Sequence, residues 1–307
     1  PAAILKHNNP CGVAWADTLF DALNNAFWCD RIAAFGGAVV VNRPLDMKCA
    51  ELIASQYFEV VAAPAFEDGV VDVLKGRKNL RIFELPGLAR LEELCGIPML
   101  DFKSLTDGGI VMQKSFVNRI NSVDDFMPAT GAKKDGTVFT ARKPTEQEAE
   151  DLLFAWAVES GVTSNSVIFA RNGATVAIGT GEQDRVGCAE LAIHKAYTKY
   201  ADVLSFKRTG LSLYELQQKA LSDAEAAAML EEINRETREN KGGLIGSVLV
   251  SDGFFPFRDG VDVVMAQGVT AIAHPGGSIR DWEVVQACNE HEPQVAMVYT
   301  GQRSFKH

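Results

Sequence analysis

Short apolar runs alternate along the first part of the chain with longer segments whose apolar residues have helical spacing. Residues 2–6, 38–41 and 58–63 are apolar runs of the kind that form buried strands. Residues 19–29 have the pattern of an amphipathic helix, and a second helical pattern follows Asp46. Strands and helices that alternate in this way predict an α/β layer over residues 1–110.

A second unit with the same mixture of elements begins at residue 144. Thr145 and Glu148 have the spacing of a capping box, which predicts the start of a helix. Asn172-Gly173 separates two apolar strands and predicts a tight hairpin. Further apolar strands and helical patterns complete residues 144–307. We therefore predict the α/β class, with two similar subdomains joined by a polar, glycine-bearing linker over residues 111–143.

Polar clusters follow most of the predicted strands. Ligands of α/β sheets bind beyond the carboxyl ends of strands, so we expect these clusters to meet in one cleft. The clusters are Lys6-His7-Asn8-Asn9, Ser164-Asn165-Ser166, Gly181-Glu182-Gln183-Asp184-Arg185, Ser251-Asp252, Arg258-Asp259, His274-Pro275-Gly276-Gly277-Ser278 and Arg303.

Lys6 and His7 are the residues of these clusters that are best suited to proton chemistry. Neighbours on a strand point to opposite faces, but a turn at the strand's end can bring both into one cleft. A histidine can accept a proton there, and a lysine can stabilise a developing oxyanion. The ordinary alternative is an exposed lysine beside a hydrogen-bonded histidine, and the residues by themselves favour it.

Two familiar kinds of site do not fit the spacing. His7-x-x-x-Cys11 lacks the second cysteine that a zinc deaminase needs, so no catalytic metal is predicted. Gly179-x-Gly181 is followed by Asp184 where a dinucleotide fingerprint has its third glycine, so no Rossmann cofactor is predicted. The turn before Arg185 could instead hold an anion, and a plain strand–helix turn is an equal alternative.

Two other stretches are candidates for ligand binding. Phe254, Phe255 and Phe257 would ordinarily be core, but charged residues flank the run, so these rings could line a slot for a flat ligand. The amides of the segment HPGGS, residues 274–278, could form a nest for an anion, or the segment could be a simple loop.

Composition narrows the class of protein. The chain has 307 residues, 47% of them hydrophobic, and a net charge of −10, which argues against a non-specific nucleic-acid binder. Six cysteines without a C-x-x-C pair favour reduced thiols in a cytoplasmic protein. Because no run of 18 apolar residues occurs, no membrane span is predicted. The chain begins with Pro1 in a strand pattern, so we expect a further segment upstream.

Eight motifs in order give the chain a resemblance to a known family. They are LKHNNPCGVA, AFGGAVVVNRPLD, FEVVAAP, SNSVIFARNG, GTGEQDR, SDGFFPFRDGVD, HPGGSIRD and TGQRSFKH. Together they resemble the AICAR transformylase domain of the bifunctional purine-biosynthesis family whose other domain is IMP cyclohydrolase. The resemblance runs from residue 2 to residue 307.

The resemblance implies formyl transfer from 10-formyltetrahydrofolate, the co-substrate, to AICAR, with no catalytic metal. It also implies two cytidine-deaminase-like α/β subdomains without the zinc, and a homodimer with active sites at the subunit interface. Matched to the family's motifs, His7 transfers the proton, Lys6 is its electrostatic partner and Asn165 lies near the carboxamide and formyl groups. The residues implied to bind AICAR or folate are Glu59, Arg185, Phe255, Phe257, Asp259, Arg303 and Phe305.

Two departures from the family's pattern bear on function. The segment that holds the AICAR phosphate in the family lies upstream of the Lys-His motif and is not in this sequence, and neither is the cyclohydrolase domain. Asp184 stands where many members have serine, next to Arg185, where an acid could weaken a phosphate contact. The alternative hypothesis is therefore a non-catalytic paralogue, or a fragment, that binds folate or nucleotide.

Overall fold

The computed structural model describes residues 1–94 and 96–306, and it confirms the predicted α/β class. The three strands predicted in the first half are present, with small changes of their bounds. The strands of this half are β1 (Ala2–Lys6), β2 (Asn9–Ala14), β3 (Gly37–Val41), β4 (Phe58–Ala63) and β5 (Arg81–Glu84).

Three helices of the first half begin where a short polar side chain accepts a hydrogen bond from a first-turn N–H group. Thr18, Asp30 and Asp46 each make this contact, which satisfies a backbone donor that the helix cannot. The helices are α1 (Leu19–Cys29), α2 (Arg31–Ala34), α3 (Met47–Ser55), α4 (Val70–Lys75) and α5 (Leu91–Leu94), with a 3-10 helix at Pro86–Arg90.

The segment between the halves is built of short strands. The predicted boundary between residues 110 and 111 falls inside a hairpin, and the domain bounds stay a prediction. The elements are β6 (Leu100–Ser104), β7 (Ile110–Lys114), β8 (Met127–Pro128), β9 (Thr130–Ala132) and β10 (Val138–Thr140), with a 3-10 helix at Val123–Asp125.

The second half confirms both local signals read from the sequence. Thr145 and Glu148 form the capping box, and Asn172 and Gly173 turn with positive φ between two strands. The strands are β11 (Ser166–Arg171), β12 (Ala174–Thr180), β13 (Val248–Ser251), β14 (Ala271–His274) and β15 (Ala296–Tyr299). The helices are α6 (Glu146–Glu159), α7 (Arg185–Thr209), α8 (Leu213–Ala220), α9 (Ala224–Glu239), α10 (Asp259–Met265) and α11 (Asp281–Glu290), with a 3-10 helix at Lys241–Gly243.

One continuous sheet carries both halves, in the order β5-β4-β3-β1-β2-β12-β11-β13-β14-β15-β8. Each half has a hairpin, a third strand antiparallel to it, and two more strands parallel to the third. The hairpins meet where Ala14 of β2 pairs with Ala174 of β12. The halves therefore have the same strand order, while their likeness to deaminases stays a prediction.

Helices cover both faces of the sheet in the second half. Successive side chains of a strand point to opposite faces, and those of β11 are buried on both. Val167 and Phe169 of β11 pack toward α7, α10 and α11, whereas Ile168 and Ala170 pack toward α6. In the first half, β1, β3 and β4 pack with α1, α3 and α4. Over the two described ranges, no helix combines the length and the apolar character that a bilayer crossing needs.

Strand directions decide which residues share an edge of the sheet. β2 and β12 are antiparallel, so the start of β2 lies beside the end of β12. The same edge holds the start of β11, the ends of β13 to β15, and the starts of β3 and β4. The expectation that the clusters follow carboxyl ends is therefore right for those after β1, β12, β13 and β14. It is wrong for Ser164-Asn165-Ser166, which lies at the start of β11.

Candidate functional site

Lys6 and His7 lie at a two-residue hairpin turn on this shared edge. His7 and Asn8 both have positive φ, 53° and 61°, and Lys6 pairs with Asn9 across the turn. His7 is exposed, whereas the Lys6 ammonium donates to the carbonyl oxygen of Phe35 at 2.7 Å. The turn therefore presents the imidazole to solvent and ties the neighbouring cation to the start of β3.

Asn9 joins this turn to the second half of the molecule. Its Oδ1 accepts from the backbone N–H of Thr163 at 2.9 Å and from the Thr180 hydroxyl at 3.3 Å. Thr163 lies two residues before Asn165. The predicted base and the predicted amide are thus brought to one edge by residues more than 150 positions apart in sequence.

Asn165 is held by Arg185 in a fixed orientation. Arg185 Nη2 donates to Asn165 Oδ1 at 2.9 Å, and Asn165 Nδ2 donates to the carbonyl oxygen of Glu182, also at 2.9 Å. An amide has two N–H donors, and only one of them is used in this contact. Arg185 therefore directs the Asn165 amide rather than standing apart from it.

A buried carboxylate anchors Arg185 in turn. Arg185 Nη1 forms an ion pair with Asp252, whose side chain is fully buried, and donates to the Ser251 hydroxyl at 2.7 Å. The other carboxylate oxygen of Asp252 accepts from the Ser164 hydroxyl. A buried charge is stable only when it is paired and hydrogen-bonded, and Asp252 meets both conditions.

Arg303 and Phe305 lie beside this ion pair. The Arg303 guanidinium carbon is 5.4 Å from the centre of the Phe254 ring and 5.9 Å from that of Phe305. A Cβ atom added to Gly253 would lie 2.5 Å from Arg185 Nη2 and 3.1 Å from the Phe305 ring. The tail thus reaches the Asn165–Arg185 pair, and glycine leaves the space for that approach.

The three other predicted residues of the aromatic stretch have different environments. Phe255 is 0% exposed and packs edge-on against His274, so its ring belongs to the core. Phe257 is 47% exposed, with the Arg280 guanidinium 4.9 Å from its ring centre. Asp259 is exposed in the first turn of α10. Phe257 and Asp259 can thus meet a ligand directly, whereas Phe255 can support the site from beneath.

Glu59 lies on the first half's part of the edge, at the start of β4. Its side chain is exposed, and its Oε1 accepts from the Tyr57 hydroxyl at 3.4 Å. The backbone N–H of Gly36 donates to the carbonyl oxygen of Tyr57 at 2.8 Å, next to the Phe35 carbonyl that binds Lys6. Glu59 is therefore grouped with Lys6, while Asn165 and Arg185 form the opposite group.

Two of the predicted anion sites are changed by carboxylates of the chain itself. Asp184 is the N-cap of α7 and accepts from the N–H of Gly187 at 2.7 Å, so its carboxylate has a helix-capping role. Asp281 accepts from the amides of Gly277 and Ser278 at 2.8 and 3.2 Å. These amides of the HPGGS loop are therefore occupied within the chain, which favours the simple loop over the anion nest.

Sequence reasoning missed one buried acid at this site, Glu159, and the ion-pair partner of another, Asp252. Asp252 was expected only as a member of a polar cluster, without its partner. Glu159, at the end of α6, is 0% exposed and accepts from the Ser166 hydroxyl at 2.6 Å. Burial raises the pKa of the Glu159 carboxyl well above its usual range, and the nearby charge of Asp252 adds to this. An acid within the apolar run AWAVES is the signal that could have found it.

His274 is a third buried titratable group close to Arg185. Burial lowers the pKa of its imidazole to about 3, and the charge of Arg185 acts in the same direction. Its Nδ1 accepts from the N–H of Gly276 at 3.1 Å. His274 is therefore a neutral core residue beneath the site.

The cysteine thiols and the possible metal-binding side chains were also considered as parts of a site. The described cysteines are free thiols, and burial raises the pKa of Cys11 and of Cys29 to about 11. Cys95 lies outside the described residues. Across residues 1–94 and 96–306, no three His, Cys, Asp or Glu side chains are grouped so that they could hold a metal ion.

Comparison with known proteins identifies related chains. The sequence model of the AICARFT/IMPCHase bienzyme family matches residues 1–195. The Bifunctional purine biosynthesis protein PurH of Acidithiobacillus ferrooxidans is 38% identical over 304 residues, 99% of this chain and 47% of the relative. The protein of the same name from Parvibaculum lavamentivorans is 39% identical over 305 residues, with the same coverage. The chain thus spans about half the length of the curated relatives it matches.

Proposed function

The chain belongs to the AICARFT/IMPCHase bienzyme family, and from this membership we propose that it transfers a formyl group from 10-formyltetrahydrofolate to AICAR. The products are formyl-AICAR and tetrahydrofolate, in the synthesis of purines. The observation that carries the proposal is the meeting of the Lys6-His7 turn and the Asn165–Arg185 pair on one sheet edge. The relatives' names cover two activities, and this edge supports the formyl transfer.

His7 has the role of the base in this proposal. The AICAR amine is a poor nucleophile because the ring and the carboxamide withdraw its electrons, so it must lose a proton as it attacks the formyl carbon. His7 is exposed at its turn and free of the sheet's own hydrogen-bond ladder. Its imidazole takes the amine proton, and the same group can return a proton to the leaving tetrahydrofolate nitrogen.

Lys6 and Asn165 stabilise the oxyanion that forms on the formyl carbon. A lysine ammonium has three donors, and the contact with the Phe35 carbonyl uses one of them. The Asn165 amide accepts a hydrogen bond from Arg185 and donates one to the carbonyl oxygen of Glu182. These two bonds fix the direction in which its second N–H points. Donors held in advance cost little reorganisation when charge develops, which is the basis of oxyanion stabilisation.

The aromatic and charged residues around this pair suit the two substrates. Phe305 and Arg303 offer an exposed ring and a cation near Arg185, and Phe257 offers a second exposed ring. These groups fit a flat ring and an anionic group. Glu59 and Asp259 can accept hydrogen bonds from amine or amide groups. We assign AICAR to the part of the edge between Glu59 and Arg185, and folate to the side of Phe257 and Asp259.

We further propose that the chain acts as a homodimer in the cytoplasm, without binding nucleic acid or a membrane. The β6–β7 hairpin supports the dimer, because every residue of both strands is exposed. Leu100, Phe102, Ile110 and Met112 are each more than half exposed, and such a contiguous apolar patch is typical of a protein interface. A second copy of this chain is the expected cover.

Release of tetrahydrofolate, followed by absorbance with AICAR and 10-formyltetrahydrofolate, tests the proposal. We expect His7→Ala to lower turnover by about 10²–10⁴-fold, the usual contribution of a general base. His194→Ala, at an exposed histidine of α7, is the matched control. Binding of both substrates, measured by calorimetry, should remain nearly unchanged in His7→Ala.

Two results would contradict the proposal. Equal turnover in the wild type and His7→Ala would remove the base from the mechanism. Binding of folate or AICAR without any turnover by the wild-type chain would instead favour the alternative, a non-catalytic paralogue or a fragment that needs a further segment.

A further inference from the structure

Lys306 connects the two groups of the site through three hydrogen bonds. Its ammonium donates to the carbonyl oxygen of Asn8 at 3.1 Å and to that of Gly161 at 2.8 Å. Its own carbonyl oxygen accepts from the N–H of Ser164 at 2.9 Å. One residue of the C-terminal tail therefore binds the turn that carries His7 and the segment that leads into Asn165.

We propose that Lys306 is a positioning residue that fixes the His7-Asn8 turn against the Ser164-Asn165 segment. This inference rests on the proposed function for its catalytic meaning. Lys306 has no contact with the reacting atoms. It acts through the backbone carbonyl of Asn8, the residue that follows the proposed base.

The turn needs such support because of its backbone conformation. His7 and Asn8 both lie in the left-handed region, which asparagine and histidine adopt more often than most residues but less readily than glycine does. Asn9 fastens the next residue along the chain to Thr163 and Thr180. Without Lys306, the Asn8 carbonyl would lose its bond to the tail, and the His7 side chain would sample a wider range of positions.

The charge of Lys306 strengthens this contact. A hydrogen bond from an ammonium to a carbonyl oxygen is stronger than one between neutral groups. The two carbonyl oxygens come from different halves, since Asn8 follows β1 and Gly161 follows α6. The Lys306 ammonium therefore adds a bridge between the halves next to the proposed base, where a small displacement has its largest effect on rate.

Lys306→Met tests the role, because it keeps most of the side chain's length and removes the ammonium. We expect kcat for formyl transfer to fall by about tenfold or more, with the KM for AICAR nearly unchanged, since a displaced base slows the chemical step. Amide hydrogen exchange in the peptide spanning residues 5–12 should become severalfold faster. Lys306→Arg, which keeps a cationic donor, should have a kcat and an exchange rate in residues 5–12 close to those of the wild type.

Chemical rescue separates positioning from a general structural role. Methylammonium added to Lys306→Ala can enter the space between the two carbonyl groups and should raise kcat and slow exchange in residues 5–12. Lys241→Met is the matched control, because its ammonium also donates to a backbone carbonyl, that of Ala266 at 2.7 Å, far along the chain from the turn. It should change neither quantity.

Several results would overturn the inference. A rise in KM with kcat unchanged would mean that Lys306 only holds the substrate-binding tail. Unchanged exchange in residues 5–12 would mean that the ammonium does not restrain the turn. If the wild-type chain transfers no formyl group, the proposed function fails, but the exchange data still decide whether Lys306 restrains the turn.

Discussion

Replacing Glu159 by glutamine should change how the stability of the protein depends on pH. Glu159 is fully buried, and its Oε2 has no hydrogen-bond partner among the residues that the structure describes. Burial, and then the charge of Asp252, raises the pKa of the carboxyl well above the ordinary value of 4.5, while the Ser166 hydroxyl lowers it in part. At a pH between the pKa values of the unfolded and folded states, Glu159 therefore keeps its proton in the folded protein and loses it in the unfolded chain.

The sign of the effect follows from proton linkage. Above the ordinary pKa of 4.5, the unfolded state binds fewer protons at Glu159 than the native state does, so the free energy of unfolding falls as pH rises. The fall is at most about 1.4 kcal/mol per pH unit, or about 3 kcal/mol between pH 4.5 and pH 7. The contribution of Glu159 to the free energy of unfolding is complete below the pKa of the unfolded state. It is lost as the pH rises toward the higher pKa of the folded state.

Glutamine removes this dependence while preserving the shape of the side chain. The glutamine carbonyl oxygen can still accept from the Ser166 hydroxyl. The amide has one more N–H donor than the protonated carboxyl, and burying that donor lowers the free energy of unfolding by an amount that does not change with pH. We therefore expect Glu159→Gln to gain up to about 3 kcal/mol relative to the wild type between pH 4.5 and pH 7.

Urea denaturation of both proteins at several pH values measures this difference. Glu150→Gln, at an exposed position of the same helix, controls for the loss of one acidic residue. If the wild-type and Glu159→Gln stabilities run parallel from pH 4.5 to pH 7, Glu159 is ionised in the folded state. The assignment of a retained proton to this buried carboxyl would then be wrong.

Two further substitutions test the local packing by the same denaturation method. Asp184→Ala should lower the free energy of unfolding by about 1 kcal/mol and Asp184→Ser should leave it nearly unchanged, because serine also caps a helix; equal losses would contradict the capping role. A Cβ atom on Gly12 would lie 2.1 Å from the carbonyl oxygen of Ala26, so Gly12→Ala should cost about 1–3 kcal/mol. Gly87→Ala, where a Cβ meets no atom within 4 Å, should cost far less.

Local signals in the sequence were sufficient to predict several ends of strands and helices. The capping box at Thr145 and Glu148 and the hairpin turn at Asn172-Gly173 depend on residues within a few positions of each other, and both are present. The Lys6-His7 pair lies at a strand end with its turn, as its pattern predicted. Contacts between residues that are close in sequence were therefore enough to predict where these strands and helices end.

The contacts that assemble the site come from distant parts of the chain. Arg185 and Asp252 are 67 residues apart, and they meet because β11 lies between β12 and β13 in the sheet. Nothing in the sequence near Asp252 gives that strand order. For the same reason, the burial of Phe255 against His274 could not be separated in advance from an exposed aromatic slot.

The antiparallel contact between β2 and β12 explains why the proposed catalytic residues of the two halves, His7 and Asn165, share one edge of the sheet. It reverses the second half relative to the first, so the two hairpin turns lie at opposite edges of the sheet. At the far edge, Asp151 accepts from the amides of Asn172 and Gly173, and this turn is closed by the chain itself. The turn of His7 is instead held through its carbonyl and its flanking residues, which leaves the imidazole exposed. The same local motif thus serves packing in one half and, in the other, leaves exposed the histidine that we propose as the proton acceptor.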